Sequence, residues 1–194
     1  VPAVLGEIDI IKTIQLLPGV TSAREGANGF NVRGGSVDQN LILLDESTIY
    51  NSSHLFGFFS VFNADAVKNM KLYKGGIPAQ YGGRLASVLD VRQREGNTKE
   101  FHGNGGIGAI SSRLLLEGPI VKDKASFIVS GRFTYLSFLL NPILKKQDTP
   151  INIPWFFDIN AKMNYKIGEN DRLFISAYFG RDKFSFSTGG DGLS

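Results

Sequence analysis

The residues that could bind a metal or catalyse a reaction are few and widely separated. The chain has two histidines, His54 and His102, and no cysteine. Zinc sites need several such ligands at short spacings, so the sequence predicts no metal site and excludes disulfides and thiol catalysis. Asp45 and Glu46 are adjacent acids, but we interpret them as part of a turn. Since no hydrolase or metalloprotease motif is present, we predict that the protein is not an enzyme and has no cofactor.

Paired glycines are the most distinctive local feature, at Gly34-Gly35, Gly75-Gly76 and Gly82-Gly83. Glycine-rich loops hold phosphate groups when they lead into a helix through a Lys-Ser or Lys-Thr pair. No such helix start follows these pairs. We therefore expect the last two pairs to lie where strands turn sharply, at positions with positive φ angles.

Composition favours a folded, β-rich protein. The 194 residues are 42% hydrophobic and 20% charged, with 23 glycines and 15 phenylalanines. A net charge of +3 without a dense basic patch predicts no nucleic-acid binding. No apolar run is long enough for a transmembrane helix, and the opening "VPAVLGEIDI" has no signal-peptide pattern. A β-barrel would escape both tests, because its pattern alternates with period two.

The first half of the chain has the pattern of a mixed α+β domain. Apolar residues at helical spacing predict a helix over about 10–17, which a Pro-Gly pair ends. The continuous run Leu41–Leu44 indicates a strand that is buried on both faces. A second short helix is predicted from Asn63 as its N-cap, with Val67 and Met70 on its apolar face.

The second half alternates between apolar and polar residues. In "FFDINAKMNYKIG", apolar residues from Phe157 to Tyr165 alternate with polar residues from Asp158 to Lys166. The segments "SFIVSGRFTY" and "LFISAYFG" repeat this pattern. We predict five strands, at about 101–110, 112–119, 124–138, 156–167 and 172–187.

Such alternation suits either a membrane β-barrel or a soluble β-sandwich. The links "VKDKA" and "GENDR" are short, whereas residues 139–155 form a long loop with three prolines. Short turns at one end and long loops at the other are typical of outer-membrane barrels. Aromatic residues near strand ends would form the interfacial girdles: Phe133, Tyr135, Phe156, Phe157, Tyr178 and Phe179. Five strands cannot close such a barrel, so the barrel interpretation predicts a fragment.

Three segments carry a family resemblance. "FNVRGGSVDQNLILLDES", "FGFFSVFNADAVKNMKLYKGGIPAQYGGRLASVLDVRQREGN" and "LEGPIVKDKASFIVSGRFTY" closely resemble the TonB-dependent outer-membrane receptors, with Bacteroidetes-type members nearest. The block "KGGIPAQYGGRLASVLDV" is the most specific part. One departure is Asp45-Glu46-Ser47, where many members have Asp-Gly, and this puts the local turn type in doubt.

The resemblance implies a fold in which residues 1–98 form a plug domain. Residues 101–194 would then be about the first five strands of a 22-stranded transmembrane β-barrel. Size supports this, because a compact domain of about 98 residues is roughly 32 Å across and needs a barrel of about 21 tilted strands.

The resemblance also implies location and partners. The protein would lie in the outer membrane of a Gram-negative bacterium, in contact with outer-membrane lipid. A TonB-type energy-coupling protein would act on it through a binding box outside this chain. A surface lipoprotein is a further partner that the resemblance allows.

The resemblance implies that a set of plug residues has a structural or latch role. Arg33 and Arg84 would hold charge networks between plug and barrel, with Glu7, Asp9 and Glu95 as candidate partners; the alternative is that both arginines solvate turns. The full set is Arg33, Gly34, Gly35, Asp45, Gly75, Gly76, Tyr81, Gly82, Gly83 and Arg84.

The aromatic loop "HLFGFFSVF" has two interpretations. His54, Phe56, Phe58 and Phe59 would contact substrate at the outward apex of the plug, or they would pack the plug core and brace the barrel wall.

Three functions stay open at this point. The first is active uptake of a nutrient such as a siderophore, glycan or peptide, with energy coupled through TonB. The second is a binding or signalling receptor of the same fold without transport. The third is a soluble β-rich binding domain.

Overall fold

The computed structural model describes residues 3–4, 7–23, 29–108, 110–135 and 154–183. It contains a mixed α+β domain followed by an antiparallel sheet of long strands. The first domain contains β1 (Ala3–Val4), β2 (Glu7–Ile8), α1 (Ile10–Gln15), β3 (Val20–Ser22), β4 (Phe30–Val32), β5 (Asn40–Leu44), β6 (Ser47–Thr48), β7 (Ser53–His54), β8 (Phe59–Ser60), β9 (Val67–Tyr73) and β10 (Ser87–Gln93). The second part contains β11 (His102–Ile107), β12 (Ser111–Val121), β13 (Ala125–Thr134), β14 (Trp155–Lys166) and β15 (Arg172–Lys183). Short 3-10 turns lie at Val37–Gln39 and Leu55–Gly57.

Helix α1 begins where the sequence predicts it. The Asp9 side chain caps it by accepting a hydrogen bond from the Lys12 amide at 3.1 Å. Ile10, Ile11 and Ile14 are buried on its inner face. The helix ends before Pro18, which cannot continue it.

A four-stranded mixed sheet lies at the centre of the first domain, in the order β6-β5-β10-β9. Strand β10 pairs parallel with β5 and antiparallel with β9. It is buried on both faces, with Val88, Leu89 and Val91 at 1% exposure or less. The core between this sheet and α1 is one apolar cluster: Ile10, Ile11, Ile14, Val20, Phe30, Val32, Ile42, Leu44, Val61, Phe62, Leu89 and Val91.

The second predicted helix is wrong. Residues Val67–Tyr73 form strand β9, and Asn63 instead closes a turn by accepting a hydrogen bond from the Asp65 amide at 3.0 Å. Met70 is 38% exposed. Seven residues of β9 pair with β10 or lie within its ladder, and this long-range pairing outweighs the local helical spacing.

Strands β11 to β15 form a five-stranded meander in which each strand pairs antiparallel with the next. The predicted alternation is confirmed. On β14, Phe156, Asp158, Asn160 and Lys162 are buried toward the first domain, while the residues between them face outward. The parts of the predicted strands at 109, 136–138 and 184–187 lie outside the described residues.

The edges of this sheet are β11 and β15, and neither has a second partner strand among the described residues. In lipid, every backbone donor and acceptor must be paired. We therefore expect further strands to continue the sheet at both edges. Within the described residues, no helix is long and apolar enough to cross a membrane.

Candidate functional site: the interface between the two domains

The contact surface between the first domain and the inner face of the meander, here called the interface, contains the most unusual chemistry of the molecule. Two small apolar clusters lie in it. Leu55 and Phe59 pack on Phe156, and Ala66 packs on Leu115 and Ile128. The remainder of the interface is formed by charged and polar side chains; many are buried and paired, whereas Ser130 Oγ and Asn160 Nδ2 have no hydrogen-bond partner within the described residues.

The first of these polar groups surrounds Asp45. This residue and Glu46 form the two-residue loop between β5 and β6, with φ angles of 47° and 72°. Two positive φ angles are typical of a type I′ hairpin turn, so the turn keeps this geometry without the usual glycine. The conformation aims the Asp45 carboxylate across the interface.

Both oxygens of the Asp45 carboxylate accept hydrogen bonds. Its Oδ1 accepts hydrogen bonds from Lys162 Nζ at 2.9 Å and from the Gln93 amide at 3.0 Å. Its Oδ2 accepts one from Ser176 Oγ at 2.7 Å. The Asp45 and Lys162 side chains are 1% and 7% exposed. Lys162 also donates to the Gln93 carbonyl at 3.3 Å, so a plug-side turn is joined to two strands of the meander.

A second polar group surrounds His54. Its Nδ1 lies 2.6 Å from Asp182 Oδ1, and its Nε2 lies 3.0 Å from the Tyr178 hydroxyl and 3.3 Å from Asp158 Oδ2. The imidazole stacks on Phe156 with 4.4 Å between ring centroids. Each ring nitrogen of this buried histidine therefore faces a carboxylate of the meander.

The loop that presents His54 is strained. Leu55 has a φ angle of 50°, a left-handed conformation that is unusual for a bulky residue. Its amide donates to Asp182 Oδ2 at 3.3 Å. Asp182 thus binds both the histidine ring and the strained backbone beside it.

A third group links three elements through Arg132. Its Nε donates to Asp158 Oδ2 at 3.0 Å, and its Nη2 contacts the same carboxylate and donates to the Ser60 carbonyl at 2.7 Å. The Ser60 amide in turn donates to Asp9, the N-cap of α1, at 3.1 Å. Asp158 is 0% exposed, so its charge depends on these contacts.

More exposed ion pairs lie at the rim of the interface. Arg94 Nη2 lies 2.5 Å from Glu117 Oε1, and Arg113 Nε lies 2.7 Å from Asp65 Oδ2. The Glu95 carbonyl accepts hydrogen bonds from Ser126 and Asn164, and its carboxylate pairs with Lys68 and Arg172.

Arg33 and Arg84 are exposed, and neither forms an ion pair within the described part of the chain. Two of their candidate partners are engaged elsewhere, since Asp9 caps α1 and Glu95 pairs with Lys68 and Arg172. A charge network built on Arg33 and Arg84 stays a prediction. The charge network that the structure does show uses other residues.

The predicted glycine positions divide into two groups. Gly34, Gly76 and Gly83 have φ angles of 81°, 58° and 85°, as their turns require, whereas Gly75 and Gly82 do not have positive φ, so that expectation is wrong for them. Gly35 is needed for close approach, because a Cβ there would lie 2.5 Å from Ala86 Cβ.

Tyr81 anchors the glycine-rich segment to β10. Its hydroxyl donates to Asp90 Oδ2 at 3.0 Å. The hydrogen bond with Gln80 lowers the pKa of Tyr81, but partial burial and the Asp90 carboxylate outweigh it, so the pKa is raised. Arg92 lies beside Tyr81. Burial lowers the pKa of Arg92, but Glu46 and Asp90 raise it by more, so the pKa is raised overall.

The residues of the aromatic loop also fall into two groups, buried and exposed. His54 and Phe59 are buried in the interface at 4% exposure, which favours the bracing interpretation for both. Phe58 is 54% exposed and is the one of these whose ring is open to a ligand. The Phe56 side chain lies outside what the structure describes.

Sequence reasoning did not place Lys162, Ser176, Tyr178 and Asp182 in this interface, and it was wrong to assign Tyr178 to an interfacial girdle, because its hydroxyl faces His54. Their signal was present, because each occupies the polar, inward face of an alternating strand. Charged residues on that face need partners once the barrel interior is filled. Within the described residues, no group of three or more His, Asp or Glu side chains has an arrangement that could hold a metal ion.

The fold and the interface together define a class: a small mixed α+β domain held against the inner face of an outward-apolar antiparallel sheet. The family model of the TonB-dependent receptor plug domain matches residues 5–88. These residues resemble that domain, and the chain has the fold of a plug followed by barrel strands. The alternative of a soluble β-sandwich is therefore wrong. The search of curated proteins found no match.

Solved structures support this assignment of fold. The siderophore receptor PirA from Acinetobacter baumannii aligns with a TM-score of 0.62 at 16% identity, over 90% of this chain and 29% of its own. PirA from Pseudomonas aeruginosa aligns with a TM-score of 0.62 at 17% identity, over 90% and 32%. A mutant of the ferric enterobactin receptor PfeA from the same organism, in complex with enterobactin, gives 0.61 at 18%, over 90% and 30%.

The chain thus spans about 30% of the length of these receptors and corresponds to a fragment of such a protein. The plug-domain match indicates a location in the outer membrane of a Gram-negative bacterium. The expected nearness to Bacteroidetes-type members stays a prediction.

Proposed function

We propose that the chain is the plug and early barrel of an outer-membrane active transporter, with the plug at 1–98 and barrel strands from 101 onward. The observation that carries the proposal is the polar character of the interface. Asp45, His54 and Arg132 each form buried, charge-assisted contacts across it. A plug that must rearrange to open a path needs contacts that can be broken and formed again.

Polar and apolar contacts differ in what replaces them when they break. When the plug moves and water enters, a separated carboxylate and ammonium are both solvated, which offsets much of the lost interaction. Apolar surface has no such compensation. The two interfacial apolar clusters contain only three buried residues each, so little apolar surface resists the movement.

The transported substrate is a nutrient, and a ferric siderophore is the first class to test, because the structural neighbours are siderophore receptors. Glycans and peptides are the other classes. Energy would come from a TonB-type protein of the inner membrane, and a surface lipoprotein would assist where the nutrient is large. Phe58 is the exposed aromatic that we propose for substrate contact.

A cross-link across the interface tests the transport proposal. Asp65 and Arg113 form a partly exposed ion pair between the plug and β12. In the full-length receptor, Asp65→Cys with Arg113→Cys, joined by a short cleavable thiol cross-linker, should abolish uptake and recover it on cleavage. The matched control is Lys68→Cys with Glu95→Cys, which joins two plug residues that pair at 3.2 Å.

The outcomes separate the functions. Reversible loss of uptake in the first variant alone supports transport with plug movement. Intact uptake in the cross-linked protein contradicts that movement. Deleting the gene distinguishes the signalling alternative, which predicts normal uptake of every tested nutrient and altered gene expression.

A further inference from the structure

The plug loop at residues 53–59 is held at two points by one carboxylate of the meander. Leu55 in this loop has a φ angle of 50°, which a bulky residue adopts only when other contacts compensate for the strain. Asp182 of β15 provides such contacts, since its Oδ2 accepts a hydrogen bond from the Leu55 amide at 3.3 Å and its Oδ1 lies 2.6 Å from His54 Nδ1. The conformation of Leu55 is therefore coupled to the contact between His54 and Asp182.

The meander is shaped to accept an imidazole at this point. Gly180 of β15 leaves the space, because a Cβ there would lie 2.9 Å from His54 Cε1 and 2.5 Å from the Tyr178 hydroxyl oxygen. The imidazole stacks on the Phe156 ring with an interplanar angle of 8°. The face of an aromatic ring attracts a cation, so this stacking favours the charged form of the histidine.

The charged groups around His54 do not balance while its imidazole is neutral. Asp158 of β14 and Asp182 of β15 both contact the ring, and Arg132 of β13 pairs with Asp158. Two carboxylates and one guanidinium leave one negative charge, and Asp182 has no lysine or arginine partner within the described residues. On the plug side, Asp9 is linked to Arg132 through one shared backbone residue and adds negative charge. Since an unbalanced buried charge is costly, the site favours a protonated histidine.

Protonation also changes the bonds that Nε2 of His54 can form. When the neutral ring carries its hydrogen on Nδ1, Nε2 can only accept, and the Tyr178 hydroxyl at 3.0 Å can donate to it. Asp158 Oδ2, 3.3 Å from the same nitrogen, then faces a lone pair. In the imidazolium both nitrogens donate, so Nε2 can bind Asp158 while Nδ1 binds Asp182. Only the charged form therefore binds both carboxylates.

We infer that His54 is a proton-controlled clamp, whose charged form binds Asp158 and Asp182 together and keeps the loop at 53–59 seated on the meander. When the pH rises and the ring loses its proton, Nε2 no longer donates to Asp158 and the charge of Asp182 is no longer balanced. The contribution of the clamp is thus present at mildly acidic pH, where the carboxylates are ionised, and is lost as the pH rises. The loop, which carries Phe58, should then open more often. The inference concerns the seating of this loop and holds whether the protein transports or signals.

Hydrogen exchange of the full-length receptor in detergent, read in peptides that cover residues 53–60, tests the clamp. After correction for the intrinsic pH dependence of exchange, protection should fall roughly tenfold between about pH 5 and pH 8, because hydrogen bonds between charged groups are stronger than those between neutral groups. Asp182→Asn and His54→Gln should each remove this pH dependence and leave the loop weakly protected throughout. The matched control is His102→Gln, at the other histidine of this chain, whose side chain is 52% exposed; it should leave the pH dependence intact.

Two results would overturn the inference. The first is protection of the loop that does not change with pH in the receptor without substitutions. The second is an unchanged pH dependence in His54→Gln, or its loss in His102→Gln, since either would assign the effect to another group. Exchange in α1 shows whether each variant keeps a folded plug. If His54→Gln fails that check, Asp182→Asn decides, because it leaves the histidine in place and should still lose the pH dependence.

Discussion

The plug interior is packed with apolar side chains, whereas the plug–barrel interface is mainly polar. The interior is one cluster of twelve buried apolar residues between α1 and the mixed sheet. The interface has two clusters of three, and several of its other buried residues are charged and paired across the boundary, as Asp45 is with Lys162 and His54 with Asp158. From this difference we infer that apolar packing keeps the plug folded, while exchangeable polar contacts keep it in place.

The energetics of the two regions differ in kind. Removing an apolar residue from the interior leaves a cavity. Removing one partner of an interfacial ion pair leaves a buried charge without compensation, although separating the intact pair in water does not. At the interface, removing one partner of an ion pair therefore costs more free energy than separating the intact pair. In the interior, a mutation and a movement have similar effects, because both lose apolar contacts.

The largest expected effect is at the interface. Lys162→Met should reduce the free energy that holds the plug in place by about 3–5 kcal/mol, because Asp45 stays buried without its cation. The urea dependence of channel conductance across a lipid bilayer measures this free energy.

Two further variants control that result. Lys68→Met breaks an exposed pair with Glu95 and should change the same quantity by less than about 1 kcal/mol. Adding Asp45→Asn to Lys162→Met should recover part of the loss. Equal effects of Lys162→Met and Lys68→Met would show that the buried pair has no special role.

The interior should respond as a unit. Leu89→Ala, at a residue with 0% exposure in the central strand, should destabilise the plug by about 3 kcal/mol. Hydrogen exchange should then accelerate in α1 and β5 together, because both pack on the same cluster. Acceleration confined to β10 would contradict a single cooperative core.

A smaller effect is expected where the plug joins the barrel. Gly96 has a φ angle of 78°, and a Cβ there would lie 2.3 Å from the Phe127 carbonyl oxygen. Gly96→Ala should cost about 2 kcal/mol in the same conductance measurement. Gly34→Ala has a similar φ of 81° with open space around it, so it should cost only the backbone strain, about 1 kcal/mol. Equal effects would exclude the clash as a cause.

The smallest expected effect is a gain in the stability of the plug. Glu46 occupies the second position of the β5–β6 turn with a φ angle of 72°. Glu46→Gly should relieve strain and stabilise the plug by about 0.5 kcal/mol, after loss of the exposed pair with Arg92. Glu46→Gln keeps the strain and should give no gain. Thermal unfolding of the full-length receptor distinguishes the two variants.

The sequence predicts local pattern well and long-range pairing poorly. The alternation in β14 and the run Leu41–Leu44 each identify a strand without reference to the remainder of the chain. Strand β9 does not, because its pairing with β10 overrides a helical spacing. The Asp45–Lys162 pair joins residues that are 117 positions apart, so no local signal connects them.

Within the interface, the sequence indicates which residues need partners and not which partners they find. The polar face of β14 already marks Asp158 and Lys162 as inward-facing charges. Their pairing with Arg132 and Asp45 depends on the register between strands and on how the plug is seated. These are properties of the three-dimensional arrangement.

Hydrogen exchange on the full-length receptor, with and without Lys162→Met, tests the central claim most directly. If polar contacts hold the plug in place and apolar packing keeps it folded, exchange should accelerate in peptides covering 45–50 and 93–98 and stay unchanged in α1. Equal acceleration in α1, or no change in either peptide, would contradict the account.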